Sequence, residues 1–227
     1  MRSCEEQGIR RYLQDFPGIW QRITDSPPRE GIVSDEQFRR EGRDKGREAL
    51  LFQCEIIRLL EEHGVRVLAF QGSSLALLLF GEPAGGSFEE IALFVSPQDA
   101  AKAADILAAH GFRAGFTHGV NATQRADFFR YGGADGFYQE GVSRHLLLYW
   151  RLFPSWLGPD LLPFDDAWAD SVQLEHGGFV WRTLGPDHTL MTSALMAYAF
   201  GFSRLHRLLD IALCLERLDI SWQDVLE

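Results

Sequence analysis

The sequence has 227 residues, 46% of them apolar and 24% charged, with a formal net charge of −10. That length suffices for one hydrophobic core with or without a helical appendage, and the composition argues against wholesale disorder. The acidic balance argues against nucleic acid as a partner, because phosphate neutralisation needs a basic face, and no apolar run is long enough to imply a membrane span. Cys4, Cys54 and Cys214 are odd in number and widely spaced, so they form neither a disulfide framework nor a zinc motif. With a charged opening, MRSCEEQGIRRYLQDF, and no secretory signal, the expected compartment is the reducing cytoplasm.

In chain order, residues 4–23 space Ile9, Tyr12, Leu13, Phe16, Ile19 and Trp20 as on a helix, broken at Pro17-Gly18. The proline pair in DSPPREG, residues 25–31, marks a linker. A long helix is predicted from Ser34, capped with Gln37 three residues on, to His63, with Gly64 as its stop. Its apolar stripe is Leu50, Leu51, Cys54, Ile57 and Leu60. VRVLAF then reads as a buried strand, Gly72-Ser73-Ser74 as a turn, and LALLLF as a short helix. After the loop GEPAGGS comes a second strand, EIALFV, and a helix capped by Ser96 and closed by Gly111. FRAGF opens a third strand, and residues 121–139 are predicted to form a hairpin around Gly132-Gly133. A strand over 142–150 places Ser143, His145, Leu147 and Tyr149 on one face. A hairpin at Gly177-Gly178 and helices over 186–200 and 203–218 complete the pattern. Ser221 with Asp224 is a helix start that the chain does not finish, which suggests a truncated end.

A strand, a Gly-Ser turn and a helix make a cradle for phosphate, because backbone N–H groups and the helix dipole point at the anion. An Asp-X-Asp on the following strand would put two carboxylates on one face to hold magnesium against the phosphates. The stretch GVRVLAFQGSSLALLLFGEPAGGSFEEIALFVSPQDAAKAADILAAHGFR resembles the uncharacterised branch of the nucleotidyltransferase superfamily, related to the polymerase-beta-like fold. Members read as a strand ending Lys-Gly, a helix ending Leu-Tyr, an arginine in the loop, and then Asp-Ile-Asp-Leu-Leu-Val. HLLLYWRLFP is similar to the family's Glu-Leu-His-Trp strand, and LGPDHTLMTSALMAYAFGFSRLHRLLDIALCLERLDISW to its helical substrate domain, so the likeness covers residues 50–226. It implies an α/β (α+β) fold, a mixed twisted sheet flanked by helices with a helical C-terminal subdomain. The corresponding division is a helical extension and linker over 1–33, the α/β domain over 34–184 and the helical subdomain over 185–227.

The polar positions depart from the family pattern. Gln71 stands where the family has lysine, and Gly86 where it has the loop arginine. Glu90 corresponds to the first metal aspartate, Ala92 to the second, and Leu147 and Tyr149 to the carboxylate and histidine of Glu-Leu-His-Trp. The resemblance thus leaves Gln71, Gly72, Ser73 and Glu90 as the remnant nucleotide site, with Glu90 the one remaining metal ligand and no catalytic residue assigned. Magnesium and ATP, which the family implies, are expected to bind weakly if they bind at all. Glu89 should point to the opposite face, and Glu82 and Asp99 are simplest as solvated or capping carboxylates.

His63 and His110 each precede a glycine at a helix end, a structural position, whereas His145 shares the strand face of the former site. His206 and Arg207 are expected on the outward face of a helix, and Asp210 in a structural polar contact. Phe128, Phe129, Tyr131, Phe137 and Tyr138 cluster around the middle hairpin and are expected mostly in the core, with a cleft wall or partner surface as the alternative. The reading that emerges is a nucleotidyltransferase-like protein that has lost catalysis and binds a small molecule, a nucleotide or a protein partner. An active magnesium-dependent transferase and an assembly subunit are its alternatives.

Overall fold

The computed structural model describes residues 35–83, 90–142, 144–153, 161–199, 201–202 and 205–223. The expected N-terminal helix, the linker, the Ser34 cap, Gly86, Glu89, Ser143 and Asp224 lie outside the described residues.

Helix α1 (Asp35–Glu62) turns Leu50, Gln53, Cys54, Ile57 and Leu60 inward at helical spacing. Leu51, expected in that stripe, is instead 43% exposed, one position off the buried face. Gly64 ends the helix at φ 70°, with its N–H donating to the Glu61 carbonyl at 2.8 Å and that of Val65 to Leu60 at 3.0 Å. The rings of His63 and His110 lie 2.8 Å from the carbonyls of Leu59 and Ile106, closing the ends of their own helices as the sequence indicated.

Strand β1 (Val67–Phe70) is buried throughout and runs into α2 (Gly72–Phe80), which ends at Gly81. Strand β2 (Glu90–Val95) follows, then α3 (Ala100–Ala109) and the short β3 (Phe112–Ala114). Ser96 is not the cap of α3. Its hydroxyl bonds Gln98 in the turn before the helix, and Asp99 occupies the N-cap position.

The hairpin expected over 121–139 is a correction. Residues 122–131 form helix α4 (Ala122–Tyr131), followed by β4 (Ala134–Gln139). A capping box starts the helix: the Gln124 N–H donates to Asn121 Oδ1 at 2.9 Å, and the Asn121 N–H to Gln124 Oε1 at 3.1 Å. Phe128 and Phe129 pack on the Trp150 ring at 5.6 and 5.0 Å rather than pairing across strands. The glycines do mark a sharp bend, but from helix to strand. A Cβ on Gly132 would stand 2.6 Å from the Phe128 carbonyl oxygen.

Strand β5 (His145–Tyr149) is shorter than expected, and α5 (Phe164–Ala169) leads into the hairpin β6 (Val172–His176) and β7 (Phe179–Thr183). Helices α6 (Pro186–Ala199) and α7 (Leu205–Arg217) finish the described chain. The seven strands make one mixed sheet in the order β3-β4-β5-β2-β1-β7-β6. β1 runs antiparallel to β2 and parallel to β7, while β2 runs parallel to β5. Alternation sends Val67, Ala69, Ile91, Leu93 and Val95 to the core under α1 and α3, and Leu68, Phe70, Ala92 and Phe94 to the opposite face. A third cluster packs Leu75 and Leu79 of α2 against Leu190 of α6 and Leu209, Leu213 and Cys214 of α7.

Candidate functional site

The antiparallel pairing of β1 and β2 builds the site. Phe70 stands opposite Ala92, so Glu90 and the turn that follows Phe70 meet at one edge of the sheet. Gln71 holds φ 62° and ψ −175°, a backbone state that side chains other than hydrogen rarely adopt. Its carbonyl accepts from the N–H groups of Ser74 at 3.1 Å and Leu75 at 3.2 Å, and no side chain caps the start of α2. Gly72 at φ 50° follows, so two consecutive left-handed residues swing the backbone into the helix. The Ser73 side chain is buried with its helix rather than open at the turn. Buried Ser74 is structural: its hydroxyl accepts from Gln53 Nε2 at 3.0 Å and Trp181 Nε1 at 3.1 Å, tying α1, α2 and β7 together.

The parallel register of β2 and β5 sets Glu90 beside His145, Ala92 beside Leu147 and Phe94 beside Tyr149. Glu90 is exposed, and so is His145, which sits at the rim with its ring 4.8 Å from that of Tyr138. The Tyr149 ring packs against Phe70 at 5.3 Å, just before the turn. Burial pushes the Tyr149 phenol above its ordinary pKa, the Glu90 carboxylate adds to the rise, and the Arg207 guanidinium opposes it. Arg207 of α7 therefore comes within electrostatic reach of the β2–β5 face, and its Nε is buried without a partner among the described residues. This corrects the outward placement expected for it. The helical period alone would have found it, because Arg207 lies three and seven residues before buried Asp210 and Cys214.

Gln71 also contributes to a cleft between the end of β1 and α6, lined by Phe70, Leu75, Thr183, Thr189 and Thr192. Gln71 Nε2 and Thr192 Oγ1 are both buried there without a hydrogen-bond partner among the described residues. Asp210 of α7 is 3% exposed, and its charge adds to the burial that discourages the Cys214 thiolate.

Residues 24–227 match the family described as "Uncharacterised nucleotidyltransferase". The chain belongs to that family. No match was found among curated proteins. Two solved structures are similar to this chain. The lincomycin-bound lincosamide antibiotic adenylyltransferase LnuA is 13% identical, covering 74% of this chain and 94% of its own at a TM-score of 0.49. The antibiotic-resistance factor ANT(2'')-Ia is 12% identical, covering 76% and 84%, at a TM-score of 0.50. At that identity the likeness to ANT(2'')-Ia is one of fold.

The fold family implies magnesium, and the donor set here does not fit a pair of cations. Glu90 offers a carboxylate, whereas Ala92 and Leu147 offer no oxygen and the Tyr149 phenol is held protonated. Among the described residues, no group of three or more His, Cys, Asp or Glu side chains could hold a metal ion.

Proposed function

We propose that this nucleotidyltransferase-family chain binds a small-molecule or nucleotide ligand beside the Gly72 turn and no longer transfers a nucleotidyl group. The observation that carries the reading is the side-chain chemistry of the β2–β5 register. Two-cation catalysis needs oxygens on both strands to hold the metals against the attacking and leaving groups. Ala92 and Leu147 stand side by side where they would be needed. Losing such ligands removes the electrostatic stabilisation on which phosphoryl chemistry depends. The Gly72 turn and Gln71 stand at the same end of β1 and β2, which supports binding there without the apparatus for chemistry. The buried thiols of Cys54 and Cys214 suit a reducing cytoplasm, where we place the protein.

Two measurements test this. Thermal unfolding with millimolar ATP should show stabilisation, about 2.7 kcal/mol when the ligand is at 100 times its dissociation constant. Pyrophosphate release from ATP and magnesium in the presence of candidate acceptors should not exceed the protein-free rate. Release that disappears in Glu90→Gln would show an active transferase and end the reading.

A further inference from the structure

The missing magnesium ligands leave a question of charge: a phosphate group at the Gly72 turn would lack the cation that ordinarily accompanies it. We propose that Arg207 supplies that positive charge from within the chain, making this a metal-independent site for a polyphosphate anion. The inference rests on the binding reading above and specifies how binding works.

Three observations converge on it. The first is the path of α7. Arg217 donates to the Leu79 carbonyl at 3.4 Å and lies over the Phe80 ring at 4.6 Å, so the end of α7 sits at the end of α2. Leu209 and Leu213 pack with Leu75 and Leu79 in between. Ten residues of helix rise about 15 Å, about the length of α2, so a path of α7 alongside α2 would bring Arg207 to its start. The second is the opposing influence of Arg207 and Glu90 on the same Tyr149 phenol, which packs on Phe70 immediately before the turn. The third is unmet hydrogen-bonding capacity. Arg207 Nε is buried without a partner among the described residues. Thr192, 2% exposed, and Gln71 face one cleft at this turn with Oγ1 and Nε2 likewise unpartnered. An unmet guanidinium donor on α7 and an unmet amide donor at the uncapped start of α2 suit phosphate oxygens. Glu90 opposes them, but it is exposed and screened by solvent, whereas the Arg207 Nε is not.

The test is calorimetric titration of the full chain with ATP, once in EDTA and once in excess magnesium. Affinity in EDTA should match or exceed that with magnesium, and tripolyphosphate should compete for the site. Arg207→Met should weaken ATP binding about tenfold, the scale of one charge-assisted hydrogen bond, while Arg207→Lys should retain most of the affinity. Glu90→Gln should leave binding equal or tighter in both titrations, because it removes a repelling charge; loss of a metal ligand would instead weaken binding in magnesium. Unfolding curves of each variant confirm that it is folded, and the neutral Arg207→Gln carries the comparison if Arg207→Met does not fold. Binding that requires magnesium, that tripolyphosphate does not contest, or that the folded charge-neutral Arg207 variant leaves unaltered overturns the role of Arg207 and leaves the binding reading standing. No binding of ATP or tripolyphosphate under either condition overturns both.

Discussion

Gln71 occupies a backbone region that costs a residue other than glycine about 1–3 kcal/mol, directly before Gly72. A glycine there would hold the same turn without strain, so the amide side chain is retained against a local penalty. Gln71→Gly should raise stability by about 1 kcal/mol in urea unfolding and weaken ATP binding in calorimetry. A stabilised variant with unchanged affinity would show that the amide has no part in recognition. The strand face of Glu90 was legible at this scale because alternation fixes it from spacing, whereas its part as a metal ligand came from the family resemblance. Arg207 was not legible. Its charge argues for solvent and its helical phase argues for the interior, and the fold follows the phase, burying its Nε. Thr192 gave no signal at all, since a threonine on a buried helix face looks like any core residue until its neighbours are known.

Helix α2 is held at its start by one hydroxyl. Ser74 accepts two buried donors, from α1 and β7, and Ser74→Ala would leave Gln53 Nε2 and Trp181 Nε1 unsatisfied together. The expected loss is about 3 kcal/mol, measured by urea unfolding, with Ser74→Cys losing less because a thiol still accepts weakly. The junction of α4 and β4 depends on shape instead. Gly132→Ala puts a methyl against the Phe128 carbonyl and should cost about 2 kcal/mol by the same measurement. That junction also shows where reading elements from pattern breaks down. Asn121 and Gln124 spell a capping box, but five aromatics within residues 128–138 carry strand propensity, and the glycine pair resembles a hairpin turn. The cap prevails because Trp150, just past the end of β5, offers Phe128 and Phe129 a surface that suits a helix.

At the scale of the molecule, stability should fall on the alkaline side for an identifiable reason. Burial pushes the Cys54 thiol up to about 11 and the Cys214 thiol to about 12, from an ordinary 9.0. The folded chain therefore keeps these protons while the unfolded chain releases them. Their contribution is complete below about pH 9 and is lost as pH rises through the folded values. Urea midpoints across pH 8–11 should decline, and Cys214→Ala should flatten the decline even if it lowers stability overall. Both thiols should resist a thiol reagent at pH 8 until the chain unfolds. The strands themselves were legible from apolar runs, but their order was not, because the pairing partners of β1 and β2 are distant in sequence. That order has a consequence during synthesis. β1 is wholly buried, yet its second neighbour pairs through Leu68 with Arg182 and Ala69 with Thr183, more than a hundred positions further along. At roughly 5–20 residues per second, a ribosome leaves one side of the central strand open for several seconds or longer. Nascent chains arrested before β7 should recruit chaperones at that open side, and those arrested far enough beyond β7 for it to clear the exit tunnel should not.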